Sequence, residues 1–128
     1  MKITILMSTY NGQMFLEEQI TSIYRQTIGS DSIKLLIRDD GSKDNTIQLL
    51  EDMCFPNMTL FKGENIGTAR SFWQLIQNVE EDSDYYAFSD QDDIWYDEKL
   101  EAAIKKIDNT EVPQLYYSNV EIANQDGI

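Results

Sequence analysis

The chain has 128 residues, of which 41% are hydrophobic, with a formal net charge of −13, one cysteine and no histidine. This length suits one domain with a real core; a lone cysteine excludes an intrachain disulfide, and the lack of histidine excludes the usual zinc sites. The negative charge argues against a nucleic-acid surface, because binding a polyphosphate backbone requires clustered Lys and Arg.

No stretch of the sequence approaches the roughly 20 apolar residues of a membrane span. The N-terminus enters a strand-like segment directly, without the charged and apolar regions of a signal peptide. We therefore predict a cytoplasmic protein without a transmembrane segment.

The first half of the chain alternates strands and helices. Residues 2–8 predict a first strand, and apolar residues at helical spacing predict a helix from about Gln13 to Gln26. Residues 33–38 predict a second strand, and a second helix begins near Ser42 to Asp44. We expect the buried face of this second helix to carry Ile47, Leu50, Met53 and Cys54.

The second half continues the same alternation. Residues 58–61 predict a short third strand, and the loop 63–67 leads into a third helix. Residues 85–88 predict a fourth strand buried on both faces, because four apolar or aromatic residues follow one another. A fourth helix and a fifth strand, at 115–117, complete the pattern. The predicted apolar stripes are Phe72, Leu75, Ile76 and Val79 in the third helix, and Leu100, Ala103, Ile104 and Ile107 in the fourth.

This alternation predicts an α/β fold, a mostly parallel open sheet with helices on both faces, built as a Rossmann-like nucleotide-binding half. Residues 1–128 form a single domain, which we expect to be a fragment of a longer protein. In an open parallel sheet, ligands bind outside the carboxyl ends of the strands. The polar loops after strands one, two, three and four therefore define the candidate site.

Three aspartates follow the fourth strand within four residues, at Asp90, Asp92 and Asp93. Their mutual repulsion is explained by a bound divalent cation, which must be held by oxygen ligands. The alternative is a solvated acidic turn that opens the next helix, with Asp93 or Asp97 as its N-cap. The sequence alone leaves both interpretations open.

Two common phosphate-binding motifs are absent. No Gly-x-Gly-x-x-Gly follows the first strand, and no P-loop occurs anywhere in the chain. A phosphate-receiver domain would need an acidic pair after the first strand, where this chain has Thr9, Tyr10 and Asn11. An acidic metal site facing polar loops remains.

Five short motifs, in order over residues 3 to 100, resemble the family 2 nucleotide-sugar glycosyltransferases of the GT-A fold. They are Ser8-Thr9-Tyr10-Asn11-Gly12, Gln26-Thr27, Asp39-Asp40-Gly41-Ser42-x-Asp44-x-Thr46, Asn65-x-Gly67 and Asp90-x-Asp92-Asp93-x-Trp95. The variants around Asp39 and Asp90 most resemble the bacterial branch that includes rhamnosyltransferases of cell-wall and surface polysaccharides.

The resemblance implies a nucleotide site in the first loops. Ser8, Thr9 and Tyr10 would line the base and ribose, with the Tyr10 ring offering a stacking face; the alternative for Tyr10 is a turn aromatic packed on the first helix. Asp40 would accept the imide N–H of uracil or thymine. Asp39 is also expected at the nucleotide, although Asp39 and Ser42 could instead cap the second helix.

The resemblance also implies the metal site. Asp92 would be the direct ligand of Mn²⁺ or Mg²⁺, and Asp90 would contact the ribose or complete the metal site. Arg70 matches a basic position that holds the nucleotide or its diphosphate, or else is an ordinary surface charge. Trp95 is expected to be core or a lid over the crevice.

The implied reaction is an inverting transfer of a sugar from a UDP- or dTDP-sugar to a hydroxyl of a glycan or lipid-linked acceptor at the inner face of the cell membrane. In the family, the catalytic base lies in the acceptor-binding half, beyond a point matching residue 128. We therefore identify no catalytic residue in this chain, and neither Glu121 nor Asp126 is supported by a motif.

Two further hypotheses follow. Uncovered apolar residues at Tyr116, Tyr117 and Val120 would favour a homodimer that buries them. A non-catalytic, metal-dependent nucleotide-sugar-binding module is the alternative function. A nucleotidyltransferase ranks lower, because it would want a Gly-rich loop with basic residues after the first strand, where Gly12 stands alone.

Overall fold

The computed structural model describes residues 1–80, 82–107, 112–118 and 121. Four strands and four α-helices alternate along these residues. Their bounds are β1 Ile3–Thr9, α1 Leu16–Tyr24, β2 Ile33–Asp39, α2 Thr46–Asp52, β3 Met58–Lys62, α3 Thr68–Gln77, β4 Tyr85–Ser89 and α4 Lys99–Lys106. A single 3₁₀ turn, Ser30–Ser32, precedes β2.

The strands form one sheet in the order β3-β2-β1-β4. Every neighbouring pair is parallel. Both central strands, β1 and β2, consist of seven residues, nearly all of which are buried. The predicted α/β fold with a parallel sheet is confirmed.

Two apolar layers cover the two faces of the sheet. Ile5 and Ile37 lie in the larger layer, which α1, α2 and α4 cover, whereas Leu6 and Leu36 pack under Leu75 of α3 on the other face. Side chains alternate between faces along a strand, so neighbouring residues of β1 and β2 serve different layers. The prediction of helices on both faces is confirmed.

The strand after α3 is exposed on one side, which corrects the prediction of burial on both faces. Tyr86 is 45% and Phe88 56% exposed, whereas Ser89 is buried. β4 lies at the edge of the sheet. Among the described helices, α3 packs on this face of the sheet, and no second helix lies next to it over β4. A continuous apolar run therefore predicted the strand but not its environment.

Three other predictions were wrong. Cys54 is exposed, because α2 ends at Asp52 before its stripe reaches this residue. Ile76, 41% exposed, lies outside the α3 layer. Residues 115–117 are not a strand, with Tyr117 86% exposed and Tyr116 half-buried. Val120 and Asp126 lie outside the described residues.

Within the described ranges, none of the helices combines the length and the apolar character needed to span a bilayer.

Candidate functional site at the carboxyl edge of the sheet

The register of the sheet brings three polar loops to one edge. Ser8 pairs with Arg38 and Thr9 with Asp39, and Met7 lies beside Ser89 in the register of β1 with β4. Because these strands are parallel, the chain leaves all three in the same direction. The segments that follow them therefore meet at the carboxyl edge, as the sequence predicted.

The loop after β1 is fastened to the loop after β2 by side-chain and backbone hydrogen bonds. The Asn11 N–H donates to Ser42 Oγ at 2.9 Å, and the Lys43 N–H donates to Asn11 Oδ1 at 2.9 Å. The Gly12 N–H donates to Thr46 Oγ1 at 2.8 Å at the start of α2. The two loops thus form one connected surface, on which the Tyr10 side chain is 44% exposed.

Gln91 fastens the same β1 loop to the aspartate loop after β4. Its Oε1 accepts the Tyr10 N–H at 2.8 Å, and its Nε2 donates to the Tyr10 carbonyl at 2.9 Å. Because Gln91 stands between Asp90 and Asp92, this pair of bonds holds the two candidate metal ligands beside the candidate stacking residue. Sequence reasoning missed Gln91, since it treated this position as any residue between two aspartates.

Asp39 is fully buried. Its carboxylate accepts hydrogen bonds from the Thr9 hydroxyl at 2.9 Å, the Ser42 hydroxyl at 2.6 Å and the Ser42 N–H at 2.8 Å. These donors hold the turn after β2. The alternative of helix capping is wrong, because α2 begins at Thr46 after Asn45 and neither Asp39 nor Ser42 bonds its free N–H groups.

Asp40 is 3% exposed and anchors the loop before α3. Its Oδ1 accepts the Ile66 N–H at 2.9 Å and its Oδ2 the Gly67 N–H at 3.0 Å. Burial raises the pKa of Asp40, but these N–H groups and the Arg38 guanidinium outweigh it, so the net pKa is lowered. Asp40 is thus an anion over the whole neutral range.

The remaining nucleotide candidates differ in exposure. Thr9 is buried and Ser8 half-buried, and Arg70 is exposed in the first turn of α3. Tyr10 and Arg70 are therefore free to approach a ligand, whereas Thr9 acts through its bond to Asp39.

The aspartate cluster is exposed and mutually repulsive. Burial raises the pKa of Asp93, and the charges of Asp90 and Asp92 and a hydrogen bond with Asp90 raise it further, with Lys99 opposing. Neither Asp93 nor Asp97 caps α4, whose N-cap is Glu98. The capping alternative is therefore wrong.

The aspartates fit a cation that a ligand helps to hold. In residues 1–80, 82–107, 112–118 and 121, no group of three acidic, cysteine or histidine side chains is placed to enclose a metal ion. Mg²⁺ in nucleotide sites is usually held by one or two carboxylates together with phosphate oxygens. The donor set of Asp90 and Asp92 suits that arrangement and does not suit a cage made by protein alone.

Buried polar side chains of α1, together with Gln26 just after this helix, hold the aspartate loop in place. Gln19 Nε2 donates to Ser89 Oγ at 2.6 Å and to the Asp90 carbonyl at 3.0 Å. The Trp95 N–H donates to Ser22 Oγ at 3.0 Å, and Gln26 Nε2 donates to the Tyr96 carbonyl at 2.8 Å. Sequence reasoning missed these contacts, which are indicated by polar residues at positions i, i+3 and i+7 within an apolar helical stripe. Trp95 itself, 5% exposed, is core.

A cavity of about 440 Å³ opens beside the aspartates. Its lining includes Asp90 and Asp93 together with apolar and aromatic side chains of α3 and β4. One of these aromatic side chains, Trp73, is 59% exposed. The loop at Ser8 to Tyr10 does not line it. The site therefore has two parts, a polar surface above β1 and β2 and a cleft with aromatic and acidic walls beside β4.

Residues 4–126 match the family described as glycosyl transferase family 2. Over 104 residues the chain is 40% identical to "dTDP-rhamnosyl transferase RfbG" of Shigella flexneri, which covers 77% of this chain and 35% of that protein. The chain thus spans about a third of that relative.

Solved structures show the same fold. The S. aureus TarS 1–349 complex with UDP superposes with a TM-score of 0.72 at 22% identity, covering 89% of this chain and 38% of that one. The mannosyltransferase PcManGT from Pyrobaculum calidifontis, in complex with GDP-Man and Mn²⁺, superposes with a TM-score of 0.71 at 23% identity, covering 81% and 31%. At these identities the likeness establishes the fold alone.

Proposed function

Because this chain belongs to glycosyl transferase family 2, we propose that its carboxyl edge binds the nucleotide-sugar donor of an inverting glycosyl transfer. The observation that carries the proposal is the Gln91 contact, whose two hydrogen bonds join the Tyr10 loop to the segment containing Asp90 and Asp92. A nucleoside diphosphate needs both a surface for its base and neutralisation of its phosphates. The structure supports both at adjacent places.

We assign the nucleoside to the surface above β1 and β2. The exposed Tyr10 ring provides a stacking face, and Ser8 lies beside it at the end of β1. Among the described residues, Asp40 Oδ2 accepts only the Gly67 N–H, and we assign its second lone pair to an imide N–H. Asp39 acts through Thr9 and Ser42 by holding the turn. Arg70, exposed on α3, is available to the diphosphate.

We assign a Mn²⁺ or Mg²⁺ ion to Asp92 and Asp90, shared with the diphosphate. Bound there, the ion would neutralise the charge that develops on the leaving diphosphate. The Mn²⁺ complex of the structural neighbour PcManGT supports this assignment. The cleft with Trp73 and Asp93 offers space for the sugar, since such sites combine apolar walls with a few polar groups.

The donor is a UDP- or dTDP-sugar in this proposal. Uracil and thymine share the imide that Asp40 would bind, so both bases suit the site. The name of the Shigella flexneri relative, a dTDP-rhamnosyl transferase, favours dTDP. We propose a role in surface polysaccharide synthesis at the cytoplasmic face of the membrane. The acceptor would be a hydroxyl of a glycan or lipid-linked glycan.

The test is calorimetric titration of UDP and dTDP into the purified chain with and without Mn²⁺. We expect metal-dependent binding that Asp92→Ala abolishes. Asp31→Ala is the matched control. Asp31 is exposed at the amino end of β2, so this substitution removes the same charge from the opposite edge of the sheet. Nucleotide binding that is independent of Mn²⁺, or that both variants weaken equally, would refute the proposed metal site.

The alternative of a non-catalytic nucleotide-sugar-binding module predicts the same titration. It differs in turnover: with a labelled donor bound, an enzyme releases free nucleoside diphosphate in the presence of acceptor, whereas a binding module does not. The described Glu121 accepts a hydrogen bond from the Tyr96 hydroxyl. A Glu121→Gln variant that leaves release unchanged would remove it as a base.

A further inference from the structure

Arg38 is a buried charge on β2. The side chain of Arg38 lies on the same face of the strand as Leu36 and is only 8% exposed. Its Nη1 donates to Asp40 Oδ1 at 2.8 Å and to Ser71 Oγ at 3.0 Å, and its Nη2 donates to the Glu64 carbonyl at 3.0 Å. Arginine is rarely buried unless its donors are satisfied in this way.

Ser71 extends these contacts to the end of β1. Ser71 is fully buried on α3, and its Oγ accepts the Ser8 hydroxyl at 2.6 Å as well as the Arg38 guanidinium. Arg38 is thereby linked directly to Asp40 and, through Ser71, to Ser8, which are two residues of the proposed nucleoside site. Ser8 lies in β1, and Asp40 directly follows β2.

The guanidinium also decides how the Asp40 carboxylate is presented. Oδ1 accepts both Arg38 and the Ile66 N–H, which fills its two lone-pair sites. Within the part of the chain that the structure describes, Oδ2 accepts the Gly67 N–H alone, which leaves one of its lone-pair sites. A rotation of the carboxylate out of its present plane would break its bonds to the Ile66 and Gly67 N–H groups, and the charge-assisted bond to Arg38 opposes that rotation.

The chain makes room for Arg38 at Gly63. A Cβ atom built on Gly63 would lie 2.1 Å from Arg38 Nη2 and 2.7 Å from its Cζ. The Gly63 N–H meanwhile donates to the Asp39 carbonyl at 3.0 Å, which fixes the backbone close to the guanidinium. The loop before α3 therefore closes over Arg38 only because residue 63 has no side chain.

We propose that Arg38 is a positioning residue for base recognition: it fixes the Asp40 oxygen that accepts the imide N–H of uracil or thymine, and through Ser71 it holds Ser8 beside the ribose. This inference rests on the proposed function, because it assumes that the nucleoside lies above β1 and β2. It adds to that function the residue that positions Asp40 for an imide-bearing base.

The test compares UDP with N3-methyl-UDP, which lacks the imide proton, by calorimetric titration in the presence of Mn²⁺. We expect the unaltered chain to bind UDP about tenfold more tightly, the effect of about one hydrogen bond to a charged group. In Arg38→Met the ratio of the two affinities falls towards one. Arg25→Met is the control, because Arg25 pairs with Asp97 at 3.3 Å on the surface and should keep the full ratio.

A role in folding alone would give a different result, since it would weaken both ligands by the same factor and leave the ratio intact. That outcome would overturn the inference. If Arg38→Met does not fold, Arg38→Lys decides: it retains the charge but cannot donate in three directions, so we expect a normal melting temperature with a reduced ratio. A full ratio in Arg38→Lys would likewise overturn the inference.

The outcomes for the unaltered chain separate this inference from the proposed function. Mn²⁺-dependent binding of UDP without preference over N3-methyl-UDP would refute base selection through Arg38 and Asp40 and leave the donor site standing. A chain that binds neither nucleotide would overturn both.

Discussion

The side-chain amide of Gln91 pairs with the backbone of Tyr10, accepting its N–H at 2.8 Å and donating to its carbonyl at 2.9 Å. An amide side chain here replaces the main-chain pairing that a neighbouring strand would provide. The contact links the end of β1 with the aspartate loop after β4.

Gln91→Ala should weaken Mn²⁺-dependent UDP binding by about thirtyfold, because two hydrogen bonds worth about 1 kcal/mol each no longer order the two loops. Calorimetric titration measures the change. Gln77→Ala is the control, since Gln77 is exposed at the end of α3. Equal affinity in Gln91→Ala and Gln77→Ala would show that the loops are ordered without this contact.

Gly12→Ala should reproduce the effect of Gln91→Ala. A Cβ atom at Gly12 would lie 2.3 Å from Gln91 Oε1, so the flexible amide must leave Tyr10 to make room. We therefore expect the double variant Gly12→Ala/Gln91→Ala to bind UDP no more weakly than either single variant. Additive losses in titrations of the three variants would contradict this mechanism.

Asp39→Asn should lower the free energy of unfolding by about 2 kcal/mol, because one amide replaces an oxygen that accepts from Thr9 or Ser42 and leaves a buried donor unsatisfied. Urea denaturation followed by circular dichroism provides the value. Asp31→Asn, on the exposed 3₁₀ turn, should change stability by less than about 0.5 kcal/mol. An unchanged denaturation midpoint in Asp39→Asn would be inconsistent with the structure.

Gln19→Leu should destabilise the aspartate loop more than the fold as a whole. Leucine has a similar size but cannot donate to Ser89 Oγ or to the Asp90 carbonyl. We expect a loss of about 1–3 kcal/mol in unfolding free energy and faster amide hydrogen exchange in the aspartate loop than in β1. Uniform exchange rates along the chain would argue against a role of Gln19 in this loop.

Asp40 should make the chain sensitive to acid. The pKa of Asp40 is lowered in the folded state, so its ionised carboxylate stabilises the fold at pH values above the ordinary aspartate pKa of about 4. This contribution is lost as the pH falls through the lowered pKa of the folded state. The difference in unfolding free energy between the unaltered chain and Asp40→Asn should therefore be constant above about pH 5 and shrink below about pH 4. A difference that is the same at pH 3 and pH 7 would disagree with the lowered pKa.

Alternation of apolar strands with helical stripes was sufficient to predict the order of the elements through α4. The prediction held for β1 and β2 because both are central and contribute side chains to both layers. It failed for the surroundings of β4, whose Phe88 is exposed at an edge, and for the segment 115–117. A local sequence pattern indicates which side chains of a strand are suited to burial. Whether they are buried depends on the strands and helices that pack against them.

The sequence predicted the edge of the sheet at which the motif residues lie, but it did not predict their contacts. Asp39 and Asp40 are adjacent and chemically identical, yet Asp39 accepts hydrogen bonds from Thr9 and Ser42, whereas Asp40 accepts them from Arg38, Ile66 and Gly67. Successive residues of a strand point to opposite faces, so their environments depend on the helices packed there. No local feature separates the two carboxylates.

The fold class, the carboxyl edge as the candidate site and the resemblance to glycosyl transferase family 2 could be derived from the amino-acid sequence, because hydrophobic period and short motifs are local properties of the chain. The pairing of Gln91 with Tyr10 and the contacts of Arg38 with Asp40 and Ser71 are known only from the three-dimensional structure. These contacts connect residues up to 81 positions apart. They form because the parallel register brings distant loops within hydrogen-bonding distance, and no local pattern in the sequence encodes that proximity.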